Sequence, residues 1–414
     1  MLSRLGFPSI GPHRRFVTAI AVDALGSGVF MPLSMLYFLA VTDLSLVQVG
    51  AAISIASAVA LPAGPLLGGL VDRFGAKQVL LAGNALQATG FAAYLVTESF
   101  AAVLLWTVVV TIGRTAFWGS YSNIVAAISA PGERERWFGF LGALRNVGFA
   151  LGGVASGAAL AIGSDWAFHT VVAANAATYA VAFWLLLAVP ATARGGHGHL
   201  PGSWRTVLSD RPYRLLVVAQ VGYSMPMMVL NFALPVYAVT VLGLPGWVSG
   251  LIFTLNCIMV GLGQGLVVNA MTGLVRYRVL LWTQVVFGAS FVVFLACGWL
   301  APAVATGVIV LGSVVYTLAE LSGGPVLAAL SAEAAPEHLR GRYLSLIQLA
   351  WNLSSTVAPV LFAWLLDRGP EPLWIVMLAL SVAMLPVVAR LGAVMPTAAA
   401  VVSNRAEEEV PTTG

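Results

Sequence analysis

Charge is what this sequence has least of. Only 9% of its 414 residues are Asp, Glu, Lys or Arg, against about 25% in a soluble domain. A chain so poor in charge cannot cover a folded surface with water-compatible groups, which excludes an ordinary soluble protein. Cysteine is nearly absent. Cys257 and Cys297 are the two present and both lie in apolar runs, so no disulfide framework or thiolate metal site is expected. The five histidines are scattered (His13, His169, His197, His199, His338), and neither a CxxC nor an HExxH pattern occurs. No GxxxxGK[ST] loop is present, so ATP is not expected. No nucleophile–base constellation is visible either. The expectation is a protein that is not an enzyme, has no cofactor or metal, and has no nucleic-acid partner.

What fills the space is apolar. Hydrophobic residues make up 59% of the chain, and the mean hydropathy is +0.93. A helix needs about 20 apolar residues to cross the hydrocarbon core. Twelve such runs can be read, at 16–40, 46–71, 78–97, 101–129, 137–163, 168–190, 213–241, 247–270, 279–299, 303–330, 343–366 and 372–394. The fold class expected is an all-α membrane protein with twelve transmembrane helices. The first run is long enough to span and has no small-residue cleavage site close behind Arg14 and Arg15, so it is not read as a cleavable signal. The longest link is rich in glycine and divides the runs six and six. It gives an N-terminal half at 1–190, a linker at 191–212, a C-terminal half at 213–394 and a tail at 395–414. The tail, with Glu407, Glu408 and Glu409, is expected to be disordered.

The few charges are not spread evenly. With both termini on one side, that side holds all 20 basic residues except Arg114, Arg145 and Arg368. The positive-inside rule then makes it the cytoplasmic side. The halves also repeat. A shift of 206 positions lays Arg134 on Arg340, Arg136 on Arg342, Trp137 on Tyr343 and Asn146 on Asn352. It lays Arg114 on Glu320 as well, so opposite charges occupy equivalent places in the fourth and tenth runs. Transporters built from such repeats place substrate near the midplane, between the halves.

Charges inside the runs are costly and face a bundle interior or a wet cavity. Arg114 and Arg145 are the bases inside runs, and Asp23 and Glu320 are the carboxylates well inside them. Asp23 is expected to meet Arg114 or Arg145. Glu320 has no base within a C-half run to neutralise it, so it is expected to hold a proton for part of a cycle. Polar contacts to it are expected from Gln220, Asn256 or Gln348. Met31, Met35, Trp118, Tyr223, Met227, Asn231, Asn256, Tyr316, Gln348 and Trp351 fall in the same layers. They are candidates to line a cavity, since Met and aromatic side chains repack around dissimilar apolar ligands.

Several of these stretches carry motifs. The link after the second run reads Gly68-Gly69-Leu70-Val71-Asp72-Arg73-Phe74-Gly75-Ala76-Lys77. It resembles the signature loop of the major facilitator superfamily at Gly68, Asp72, Arg73, Gly75 and Lys77, with Ala76 where a base is usual. The stretch around Arg114, from Gly113 to Gly119, resembles the intramembrane arginine motif of the drug–proton antiporters in that superfamily. The stretch from Arg145 through Gly148 and Gly152 resembles their glycine-rich fifth-span motif, with Gly153 in place of the usual proline. The Asp23–Tyr37 stretch and the run from Thr317 to Tyr343 also look like that subgroup. The resemblance implies a twelve-helix, two-half transporter of a prokaryotic inner membrane. It implies proton coupling through Glu320, Asp23 and Arg114, and a conformational role for the glycine-rich loops. It also implies export of a small amphipathic substrate by a monomer, with lipid and protons as its other partners. Two alternatives stay open: a proton symporter importing a polar nutrient, and a transport-inactive receptor.

Overall fold

The computed structural model describes residues 10–128, 134–189, 207, 209–336, 340–394 and 401–402. Apart from one isolated bridge, its regular structure is helical throughout, as lipid requires of a chain that must satisfy its backbone internally. In chain order the helices are α1 (Arg14–Val41), α2 (Leu46–Ala60), α3 (Ala63–Phe74), α4 (Ala76–Tyr94), α5 (Phe100–Ile128), α6 (Arg134–Ile162) and α7 (Asp165–Leu187). Then come α8 (Arg211–Val241), α9 (Trp247–Ala270), α10 (Arg276–Cys297), α11 (Pro302–Glu333), α12 (Arg340–Leu366) and α13 (Pro372–Val394). Among the described residues, ten helices are long and apolar enough to cross a membrane. The chain is a multi-pass membrane protein.

The difference between ten and the twelve expected has local causes. The second run is interrupted at Leu61–Pro62, which leaves α2 at 15 residues and α3 at 12. Pro62 lacks an N–H and ends the first piece. Helix α4 is diluted by Asn84 and Gln87, both buried. Their amides turn back on their own helix, Asn84 Nδ2 donating to Leu80 O at 3.1 Å and Gln87 Nε2 to Gly83 O at 3.4 Å. Two other helices are irregular. Helix α1 tightens to a 3-10 turn at Met31–Leu33, where Pro32 sits. Helix α8 widens to π turns at Val229–Ala233 and Tyr237–Val241, a distortion often found at functional sites.

Packing divides the helices into two groups. Helix α1 packs on α6 and α7, α4 on α5 and α7, and α2 on α5. In the other group α10 packs on α11 and α13, α8 on α12 and α13, and α9 on α11. Two seams join the groups, α6 against α9 and α2 against α12. Glycine makes the first seam possible. A Cβ on Gly250 of α9 would lie 2.6 Å from Gly153 O and from Gly157 N of α6. Thr254 Oγ1 donates to Ala150 O at 3.1 Å alongside. In the second seam a Cβ on Gly50 would lie 2.7 Å from Pro359 O, and Val360 N donates to Ser54 Oγ at 3.0 Å.

The first seam does not run the full length of the bundle. Further along the same faces, Asn146 still lies against Gly261, but a Cβ on Gly139, Gly142 or Gly265 would meet nothing within 4 Å. The groups are joined near the α8–α9 link and splayed toward the end where α6 begins and α9 finishes. That end carries the basic links.

Two link features stand out there. Gly75 joins α3 to α4 at φ +89°, a conformation that favours glycine. Lys77 Nζ donates to Leu187 O at 2.8 Å and also to Val189 O, holding the last carbonyls of α7. Two residues of the tail, Val401 and Val402, are among those described. Val402 N donates to Leu274 O and Gly273 N to Val402 O, each at 2.9 Å, so Val401–Val402 are ordered against the α9–α10 link. The linker at 191–206 and the rest of the tail lie outside the described residues.

If the glycine contact sets the seam, Gly250→Leu should destabilise the detergent-solubilised protein by about 1–3 kcal/mol, the cost of overpacking. Gly265→Leu, placed where space is open, should leave the thermal melt unchanged. Equal melts for the two variants would remove the seam from that role.

Candidate functional site: an intramembrane charge system

The close approach of α1 and α6 positions the first charges. A Cβ on Gly148 would lie 2.8 Å from Ala24 Cβ, and one on Gly28 would lie 2.5 Å from Phe149 Cα. With the helices this close, residues one turn away face each other. Asp23 Oδ2 accepts from Arg145 Nη1 at 3.0 Å, and both residues are buried. The guanidinium is enclosed by three rings, 5.4 Å from the centroid of Phe117, 4.5 Å from Trp118 and 5.1 Å from Phe149. Opposite charge and ring faces together compensate its removal from water.

Of the two partners open to Asp23, Arg145 is the one it meets. Arg114 does not pair with Asp23, and among the described residues no carboxylate forms an ion pair with it. Arg114 stands 14 residues into the 29-residue α5, about 21 Å from its start at 1.5 Å per residue. Thr107, Thr111 and Tyr121 share its face and are buried. Leu105, half a turn round after nine residues, is 56% exposed. Arg114 therefore lies on the inward face of α5, yet it is exposed. The buried tyrosines Tyr94 and Tyr179 are near it. Their hydroxyls are held in turn, Tyr94 Oη donating to Thr107 Oγ1 at 3.1 Å and Tyr179 Oη sharing a 2.9 Å bond with Ser27 Oγ.

Glu320 is half-buried on α11. Asn256 Nδ2 of α9 donates to Glu320 Oε2 at 2.6 Å and lies 3.1 Å from Thr317 Oγ1. Tyr223 Oη of α8 donates to the backbone O of Glu320 at 2.9 Å. Among the described residues no cation pairs with it. Of the polar contacts expected, Asn256 is the one made. Gln348 instead donates to Asn352 Oδ1 at 3.1 Å.

The candidate cavity residues divide. Trp118 and Gln348 are exposed, and Met31, Met227, Asn231 and Trp351 are half-buried. Met35, Tyr223, Asn256 and Tyr316 are buried. Met35, Tyr223 and Tyr316 belong to the apolar core, Tyr316 Oη donating to Pro226 O at 3.0 Å. Of the loop residues, Gly68, Asp72 and Arg73 fall on α3, and the side chain of Asp72 lies outside the described ones. Gly148 and Gly152 face α1. Sequence reasoning left Arg145 as one of two possible partners for Asp23 and missed the ring cage. The signal was present in Phe117, Trp118 and Phe149, but which rings meet depends on how α5 and α6 pack.

The sequence model of the Major Facilitator Superfamily matches residues 16–359. The chain belongs to that superfamily. Curated relatives named multidrug resistance protein MdtH are similar to it. The one from Klebsiella pneumoniae subsp. pneumoniae is 23% identical over 400 residues, 90% of this chain and 92% of that protein. The one from Salmonella typhimurium is 25% identical over 380 residues, covering 85% and 87%. Another, from Klebsiella pneumoniae strain 342, is 27% identical over 250 residues, covering 58% of this chain and 59% of that protein. Among solved structures, a point mutant of the nucleoside transporter NupG superposes with a TM-score of 0.77 at 13% identity, covering 91% of this chain and 98% of that one. A D-xylose-proton symporter gives 0.70 at 17% identity, covering 90% and 96%. These identities speak for the fold.

The buried pair has a measurable signature. Arg145→Met strands Asp23 and should cost roughly 3–5 kcal/mol of stability, as breaking buried pairs does. Adding Asp23→Asn should recover part of that loss. A thermal-melt double-mutant cycle showing simple additivity would mean the two groups are not coupled.

Proposed function

We propose that this protein is a proton-coupled exporter of amphipathic small molecules in a prokaryotic cytoplasmic membrane. It works by alternating access between two six-helix halves. In this reading α2 with α3 makes one crossing and α4 another. The crossings then number twelve and both termini are cytoplasmic, on the side of the basic links. The splayed end of the bundle faces the cytoplasm.

The observation that carries the reading is Glu320. A carboxylate in mid-helix, met by one amide and no described cation, is stable there mainly as the neutral acid. Opened to the outside, Glu320 takes a proton and substrate leaves. Opened to the cytoplasm, it releases the proton, and substrate binding then favours return. Each proton contributes about 1.4 kcal/mol per pH unit and about 2.3 kcal/mol per 100 mV. Asp23 is a second candidate carrier. Its protonation would free Arg145 from α1 and loosen the α1–α6 crossing, which links proton occupancy to helix packing. The MdtH relatives, named for multidrug resistance, support export over import.

Glu320→Gln keeps the amide contact but cannot titrate. In proteoliposomes it should lower pH-gradient-driven efflux of a lipophilic dye at least about tenfold, equivalent to ~1.4 kcal/mol, while the melt stays near wild type. Undiminished gradient-driven transport would remove Glu320 from coupling. Dye moving in the same direction as the proton would replace the antiport reading with symport.

A further inference from the structure

On the transport reading above, the charge system also bears on what is carried. The N-terminal group holds three intramembrane charges, and two of them answer each other. Asp23 is committed to Arg145, and Arg145 is further enclosed by rings. That leaves Arg114, an exposed cation on the inward face of α5 with no carboxylate among the described residues. The tyrosine hydroxyls near it bond to Thr107 and Ser27 and are neutral groups. An intramembrane guanidinium is tolerated where it faces a wet cavity or a counter-charge. Arg114 is an unfilled half of a charge pair.

Its neighbour gives the rest of a binding surface. Trp118 stands one turn along the same face of α5, about 6 Å along the axis. One side of the indole meets the Arg145 guanidinium, and the residue is nonetheless 49% exposed. A planar fork of donors with a half-exposed indole one turn along the same helix face suits a carboxylate attached to an aromatic body. The carboxylate takes two parallel N–H bonds from the guanidinium, and the ring lies against the indole.

We infer that the substrates are aromatic organic anions and zwitterions, and that Arg114 binds their carboxylate directly. This separates the arginine from the proton-carrying role and makes it a specificity-determining residue. Lipophilic cations, which the fixed charge repels, are disfavoured.

The test compares dansylglycine, its methyl ester and tetraphenylphosphonium at neutral pH. Binding is measured on the purified full-length protein by dansyl fluorescence, with competition for the non-fluorescent cation. The wild type should bind the acid at least about tenfold tighter than the ester, a difference of ~1.4 kcal/mol. Arg114→Gln should erase that preference, and Arg114→Lys should keep part of it. An ester or phosphonium bound as tightly as the acid by the wild type overturns the inference, whether or not the Arg114 variants fold. Proteoliposome flux separates the two readings. Transport of the ester and phosphonium but not the acid overturns the inference and leaves export standing. Selective binding of the acid with no movement of any of the three leaves the inference standing and overturns export.

Discussion

The polar interior of this bundle depends on how closely α1 and α6 approach. Gly28 and Gly148 remove the side chains that would hold those backbones apart. The contact then leaves Asp23 and Arg145 3.0 Å apart. A wider crossing would leave two charges in an apolar medium, each needing water. The small residues therefore do more than allow packing, as they do generally between membrane helices. They set the distance at which a costly pair becomes a tolerable one. The three rings around Arg145 finish the task on the side away from Asp23.

The two groups of helices solve the burial of charge differently. In the N-terminal group a carboxylate and a guanidinium neutralise each other and a second guanidinium is left over. In the C-terminal group one carboxylate rests on an amide. The sequence repeat superimposes the leftover guanidinium on that carboxylate, Arg114 on Glu320. The residual charges thus fall at equivalent depths on different groups.

Most of the helices were legible in the sequence, because apolar length alone determines them. The places where reading failed are those where one helix must find another. The interruption at Leu61–Pro62 was hidden by an unbroken apolar composition. Asn84 and Gln87 thinned α4 without ending it. Asp23, Glu320 and Arg114 were visible as candidates because charge is rare in such runs. The partner of Asp23 was not settled, since Arg114 and Arg145 are both within a long side chain's reach of α1 until the crossing angle is known. Asn256 was picked out as a contact of Glu320 from its layer in the membrane. Met35 and Tyr316 occupied similar layers but face the core. Depth can be counted along a helix, whereas its rotation about its own axis is fixed by its neighbours. The ordering of Val401–Val402 rests on two backbone hydrogen bonds to Gly273 and Leu274, which composition does not encode.

The short glycine seam between α6 and α9 has a mechanical consequence. Side chains at a helix contact interlock and resist sliding, whereas Gly157 and Gly250 touch backbone to backbone and offer little to interlock. On the alternating-access reading proposed above, such a contact would act as a bearing. Gly139 lies 18 residues from Gly157 along α6, about 27 Å away. A rotation of ~10° about the bearing would sweep that distant end through ~5 Å. A movement too small to disturb the packing at the bearing is thus enough, at the other end of the same helix, to admit or exclude a molecule the size of an aromatic ring.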